Sequence, residues 1–206
     1  MKRLTILITM LMATSGWAYN ESDLKKMETI YGCMNCDLSG LDFTIIPWVI
    51  TKEGPYLKEI NLSGANLSGA NLSGARFNQA KLSDTNLSGA NLSGADLREA
   101  SLDKANLSGA NLSGANLREA SLDKANLSGA NLSGANFTKA FLTSAKLSEA
   151  NLDGVVLWMT KLNYADLSNA DFTKAERMSR IVLDDAKYCN TTMLWGVLND
   201  DCKADE

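Results

Sequence analysis

Four cysteines are the residues of this 206-residue chain best suited to chemistry. Cys33 and Cys36 form a Cys-x-x-Cys pair towards one end, and Cys189 and Cys202 stand towards the other. Such pairs can serve as a dithiol–disulfide redox centre, as halves of a four-cysteine zinc site, or as structural bridges. A redox centre needs a βαβ setting and a lowered thiol pKa, and the residues around Cys33 do not read as that fold. Among carboxylates, Asp103 and Asp123 could in principle do acid–base or metal work, but each precedes a lysine, Lys104 or Lys124, which favours salt pairing. Histidine is absent altogether. That excludes Ser-His-Asp and Cys-His catalysis, histidine proton shuttles and histidine-ligated metals. We assign no catalytic residue, no metal and no cofactor, and expect the chain not to be an enzyme.

The elements that would position these groups follow from one period. From Leu62 to Phe172 every fifth residue is Leu or Phe, at 23 consecutive positions, and the residue two before is Ala at 19 of them. The exceptions at that second position are Ile60, Thr85, Val155 and Thr160. Five residues match neither the 3.6-residue helix nor the two-residue strand pleat, so a bundle or sandwich would scatter the leucines over several faces. Something must turn once per pentad. A second period is written over the first: Asn86–Ala105 and Asn106–Ala125 differ only at Asp96 and Asn116. Four pentads therefore close one coil of twenty residues, and self-similarity at such a period marks a stacked solenoid. The expected core ladder begins Leu62, Leu67, Leu72, Phe77, Leu82, Leu87, Leu92 and Leu97, with Ala also inward and Asn, Ser and Gly facing water. The 24 pentads centred on Leu57 to Phe172 make six coils, and one strand spacing of about 4.8 Å per coil gives a rod about 29 Å long.

The tandem Ala-(Asn/Asp)-Leu-Ser-Gly units resemble the pentapeptide-repeat family over roughly residues 55–193. The resemblance implies an all-β fold, a right-handed quadrilateral β-helix with Leu or Phe at the centre of each side and Ala at the corners. A cysteine pair ahead of the first Asp-Leu-Ser-Gly, and a terminal Cys-Asn-Thr-Thr-Met segment, are similar to the end elements of exported members. Some members resemble a DNA duplex and bind type II topoisomerases; that role asks for an acid-lined rod in the cytoplasm.

The ends read differently from the middle. Lys2 and Arg3, the apolar run Leu4–Ala13 and Gly16-Trp17-Ala18 compose a signal peptide cleaved after Ala18, too short to remain as a membrane span. The organisation is thus 1–18 signal peptide, 19–56 N-terminal cap with a first partial coil and an insertion, 57–175 β-helix, and 176–206 last coil and C-terminal cap. Leu38 and Phe43 are out of phase with Leu57, which makes Thr44–Gly54, with Trp48, an insertion; it either covers the core or offers an apolar contact. After Phe172 the spacing shifts by one residue, suggesting a bulge near Ala175. In an oxidising compartment an even cysteine count favours two local bridges, Cys33 with Cys36 and Cys189 with Cys202. A shared zinc site fails on distance, because the pairs sit at opposite ends of the rod.

The surface suggests binding rather than reaction. Two sides carry Asn-Leu-Ser-Gly almost throughout, whereas the others carry mixed charge, usually a solvated surface. Trp158, Met159 and Tyr164 point outward near one end and, with Trp48, are the candidate partner contacts or the seam of a homodimer. The formal net charge of −4 argues against a nucleic-acid partner. The expected protein is a secreted, periplasmic or extracellular, non-enzymatic scaffold or protein- or glycan-binding module of the cell envelope without stable membrane insertion. The alternatives are an exported thiol–disulfide protein and a DNA-mimicking topoisomerase binder. About a dozen Asn-x-Ser/Thr sequons, acceptors in a eukaryotic secretory path, favour a bacterial source.

Overall fold

The computed structural model describes residues 33–45, 50–51, 54–194 and 196–198. One pentad explains the rest, because each of its five backbone donors has a separate destination. In Asn86–Ala90, the Asn86 N–H bonds back to the coil below through the Ala65 carbonyl (2.9 Å), and the N–H groups of Leu87 and Gly89 bond forward to the carbonyls of Asn106 (2.7 Å) and Ser108 (3.0 Å). The Ala90 N–H closes a turn on the Leu87 carbonyl (3.1 Å), and the Ser88 N–H goes to the Asn86 side-chain Oδ1 (3.2 Å). Without the asparagine that fifth donor would have no backbone acceptor. Gly89, the third residue of the turn, has φ 63°, the positive value that a type II turn requires.

Repetition of this unit builds a right-handed quadrilateral β-helix, the all-β fold expected from the periodicity and the resemblance. Parallel pairing runs at a constant twenty-residue offset from Tyr56↔Arg76 to Val156↔Glu176. We number the sides by the leucines at their centres: side 1 holds Leu67, Leu87, Leu107 and Leu127; side 2 Leu72, Leu92, Leu112 and Leu132; side 3 Phe77, Leu97, Leu117, Phe137 and Leu157; side 4 Leu62, Leu82, Leu102, Leu122, Leu142 and Leu162. All of these are buried, as are the corner alanines between them. Where threonine replaces a corner alanine its hydroxyl is satisfied locally, Thr85 on the Leu82 carbonyl (2.6 Å) and Thr160 on the Phe137 carbonyl (2.8 Å). Among the described residues no helix is long and apolar enough to cross a membrane.

Both ends depart from the offset of twenty. At the N-terminal end Asp37 pairs with Asn66 and Asp42 with Asn71, an offset of 29. The nine extra residues lie in the segment holding a 3-10 turn, Phe43–Ile45, and a hairpin of β1 (Ile50–Thr51) with β2 (Gly54–Pro55). At the C-terminal end Lys161 pairs with Val182 and Asp166 with Lys187, an offset of 21. The extra residue lies between Glu176 and Ser179, where Arg177 has φ 49°, slightly later than the expected bulge at Ala175, which stays in its turn with its N–H on Phe172 (3.0 Å). Antiparallel β3 (Thr191–Met193) and β4 (Gly196–Leu198) follow.

Candidate interaction surface

Sides 1 and 2 satisfy themselves. Asn86 Nδ2 donates to Asn66 Oδ1 (3.1 Å), Asn106 to Asn86 (3.3 Å) and Asn126 to Asn106 (3.3 Å), with a matching ladder through Asn71, Asn91, Asn111 and Asn131 on side 2. Each ladder oxygen up to Asn106 on side 1 and Asn131 on side 2 therefore serves both a neighbouring amide and the serine N–H of its own turn. The turn corner is glycine from Gly69 to Gly129 on side 1 and from Gly74 to Gly154 on side 2.

Sides 3 and 4 place side chains at the same left-handed corner. Gln79, Glu99, Glu119, Lys139 and Met159 on side 3, and Asp84, Lys104, Lys124, Ser144 and Tyr164 on side 4, have φ between 57° and 62°. A non-glycine residue in this region costs on the order of 1–2 kcal/mol. Sides 1 and 2 avoid that cost as far as Gly129 and Gly154, above which side 1 carries Glu149 (φ 61°) and Asn169 (φ 58°); side 4 uses glycine once, at Gly64. The lower part of side 3 is paired internally: Arg98 forks onto Asp96 (Nε–Oδ1 2.8 Å, Nη2–Oδ2 2.7 Å), and Glu119 accepts from Arg118 (3.3 Å) and Lys139 (3.4 Å). The Arg98 guanidinium, with the Arg98 N–H, outweighs partial burial and holds the Asp96 carboxyl below the usual aspartate range. On side 1, burial pushes Asp166 up, but the Ser168 hydroxyl and N–H, with Lys187 and Lys146, bring it net downward.

The upper part of side 3 and its corner with side 4 are mainly apolar and cationic, with an acid, exposed Glu176, at the head of the top rung. Lys139 lies one coil below Met159, its N–H on the Trp158 carbonyl (2.8 Å), and Leu157 and Met159 bond to Glu176 and Ser179 of the next coil. The Arg177–Arg180 bulge is thereby stacked on the Trp158 rung. Around the corner, exposed Phe141 pairs with the Lys161 strand position, and the Lys161 ammonium lies 4.8 Å from the centre of its ring. Among the described residues, no carboxylate stands within ion-pair distance of Lys161, Arg177 or Arg180.

Of the contact residues expected from sequence, Trp158 and Met159 share this surface, with Trp158 half-buried rather than exposed. Tyr164, 59% exposed, stands one full side away at the next corner, and Trp48 lies outside the described residues. Phe141, Lys161, Arg177 and Arg180 escaped sequence reasoning. The signal was present for Phe141, an aromatic ring in the outward first position that the repeat reserves for Asn. Asp103 and Asp123 also differ from expectation. Neither ion-pairs with its lysine: Asp103 Oδ1 accepts from the Asp123 N–H (3.1 Å) and the Ser121 hydroxyl, and Asp123 Oδ1 from the Thr143 N–H (2.9 Å). Ser121 and Phe141 replace asparagine at the heads of the two receiving turns, so a carboxylate from the coil below takes over its acceptor role.

The cysteines complete the cap. Cys33 and Cys36 form a disulfide and are both 3% exposed. The Cys33 N–H bonds to Asn61 as a pentad leucine would, and the Cys36 carbonyl accepts the Asn66 N–H as a corner alanine would. The Cys-x-x-Cys is thus a pentad whose two inward residues are joined across its own turn. Asn35 packs so closely over Gly64 that a Cβ there would lie 2.1 Å from its Oδ1. Buried sulfurs suit a core lid better than an attacking thiol. Cys189 is disulfide-bonded, and Cys202, its expected partner, lies outside the described residues. No group of metal-binding side chains occurs among the described residues.

A four-sided parallel coil with an inward Leu and Ala per pentad defines a class of repeat solenoid. The chain belongs to the pentapeptide-repeat family: it matches "Pentapeptide repeats" in 8 copies, over residues 60–98, 80–118, 115–154 and 150–186. Among solved structures it is similar to HetL, a pentapeptide repeat protein involved in heterocyst differentiation regulation from the cyanobacterium Nostoc sp. strain PCC 7120, at 26% identity over 81% of this chain and 91% of that one (TM-score 0.40). It is also similar to AT2G44920, a pentapeptide repeat protein of the Arabidopsis thaliana thylakoid lumen, at 34% identity over 60% and 74% of the chains (TM-score 0.45). Likeness to QnrB1, a plasmid-mediated fluoroquinolone resistance protein, is 22% over 75% and 83% (TM-score 0.34). No curated protein matches the chain.

Proposed function

We propose that this protein is an exported, non-catalytic binding module whose rigid rod presents sides 3 and 4 to a protein or other component of the cell envelope. One observation carries the reading: from Gln79 to Tyr164 ten side chains occupy left-handed corners on these sides, where sides 1 and 2 use glycine as far as Gly129 and Gly154. Folding gains nothing from that choice, so the gain must lie in what the side chains touch. Two further points support it. The candidate chemical groups are absorbed by structure, the cysteines as a lid and the aspartates as ladder acceptors. The amino-terminal sequence reads as a cleaved leader, and a structural disulfide suits an oxidising compartment. A DNA-mimicking role is less well supported, because two of the four sides present uncharged Asn ladders rather than acids.

The test is photo-crosslinking in the native host, with a benzophenone amino acid at Met159 or at Gly109 on side 1. An adduct from position 159 and none from 109 is the expected result. Equal labelling, or adducts from side 1 alone, overturns the assignment of the surface.

A further inference from the structure

We infer that the upper part of side 3, with its corner onto side 4, docks an acidic protein segment that carries apolar residues. The inference rests on the reading of the protein as a binding module and names the chemistry of what it binds. Its ground is a group of cations without ion-pair partners among the described residues, set beside outward apolar side chains. Below Lys139, the cations Lys58, Arg98 and Arg118 each have a carboxylate within 3.3 Å. Above it on side 3, Arg177 and Arg180 have none among the described residues, and neither has Lys161 at the head of side 4, although the chain as a whole holds 24 acids to 20 bases. Lys81, Lys104, Lys124 and Lys146 also lack an ion-pair partner among the described residues, so it is the apolar side chains beside these three that mark them for anions from elsewhere.

The surroundings narrow the anion further. Trp158, Met159 and Phe141 lie on the rungs directly beside and beneath the cations, and Trp and Arg are the residues most often dominant in protein contacts. Neutral sugars are held by amide and carboxylate side chains that match paired hydroxyls; the exposed chemistry at this corner is mainly guanidinium, ammonium, thioether and ring, with the Glu176 carboxylate on the same rung. Phe141, Trp158, Met159 and Lys161 are fixed to ladder rungs, and the bulge that carries Arg177 and Arg180 is tied to them through Glu176 and Ser179, so an extended segment lying along the surface meets charge and ring together. The one-residue bulge matters here, because it turns Arg177 outward at a position where every preceding rung of side 3 buries Leu or Phe.

The experiment uses the full mature chain with its disulfides intact and a fluorescein-labelled short peptide of glutamates interrupted by leucines, read by anisotropy. Binding is expected, weakened by salt, absent for the same peptide with glutamine in place of glutamate, and reduced about tenfold by Arg177→Glu with Arg180→Glu and again by Trp158→Ala. Circular dichroism and the thermal midpoint of each variant report whether the rod is intact. No binding of the peptide at millimolar concentration, or binding indifferent to these substitutions in folded variants, overturns the inference. So does tighter, substitution-sensitive binding of alginate or of phosphatidylglycerol-containing vesicles, which would assign the cations to a glycan or a lipid surface. Crosslinks from position 159 with no peptide binding would remove the acidic-segment inference and leave the binding-module reading standing; the absence of both removes the two together.

Discussion

Sides 1 and 2 share the same pattern of inward Leu or Phe and corner Ala with sides 3 and 4, yet the two pairs solve the outer surface in opposite ways. On the first pair a single asparagine supplies the acceptor its turn lacks and bonds to the asparagine above, while glycine takes the left-handed corner without strain. On the second pair the acceptor is supplied variously, by Asp96, by Asn116 or by Asp103 from the coil below, and the corner carries Glu, Lys, Met or Tyr against its backbone preference. The contrast teaches that the repeat separates two requirements residue by residue. Leu and Ala build the coil, and the three remaining positions are free to vary once one acceptor for the turn is found.

The largest test of that separation is inside. Leu107→Ala on side 1 and Leu122→Ala on side 4 each remove a buried leucine and should each lower the unfolding free energy by about 2–5 kcal/mol in urea titrations. The two losses should agree; a clear inequality would show that the sides differ in their cores. Corner substitutions come next. Lys104→Gly and Lys124→Gly should stabilise by about 1 kcal/mol each, and Gly109→Lys and Gly129→Lys should cost about as much, since no atom lies within 4 Å of either added Cβ and backbone strain is the only penalty. If glycine gains nothing on side 4, the corner side chains are recovering their cost within the fold. The smallest effect is in acid. Asp96 has a folded pKa below its ordinary 3.8, so its contribution is full above that value and is lost as pH falls through the folded pKa. Asp96→Asn, which copies the coil above, should flatten the acid limb of stability below about pH 4 by under about 1 kcal/mol, the partly exposed pair being screened by water.

Much of this was legible in the sequence. The five-residue period fixed the inward positions from Leu62 to Phe172, and the twenty-residue period fixed which residues stack, because both are written as repeated letters. The role of Cys33 and Cys36 could also be read: they stand five and two residues before Leu38, the spacing of a leucine and its neighbouring corner. It was hidden by the nine extra residues that break the phase. Asp103 and Asp123 misled because each has a lysine beside it in sequence, whereas the hydrogen-bond partner lies twenty residues away in the next coil. The charged group around Trp158 depends on a one-residue bulge whose exact place is set by which backbone bonds survive it, and Arg177 and Arg180 become neighbours of Trp158 only through that stacking.

The near-identity of successive coils also bears on how the chain finds its alignment. A segment that adds to the ladder one coil out of step meets almost the same backbone partners, the same inward leucines and the same asparagines, so the middle of the molecule hardly distinguishes correct from slipped pairing. Only the ends are unambiguous: an offset of 29 beside a disulfide-bonded pentad, and an offset of 21 before the terminal hairpin. The caps that shield the core therefore also serve as bookmarks. A chain stripped of both would retain its stacking energy while losing the features that make one alignment unique, and would populate slipped and intermolecularly paired ladders alongside the native one.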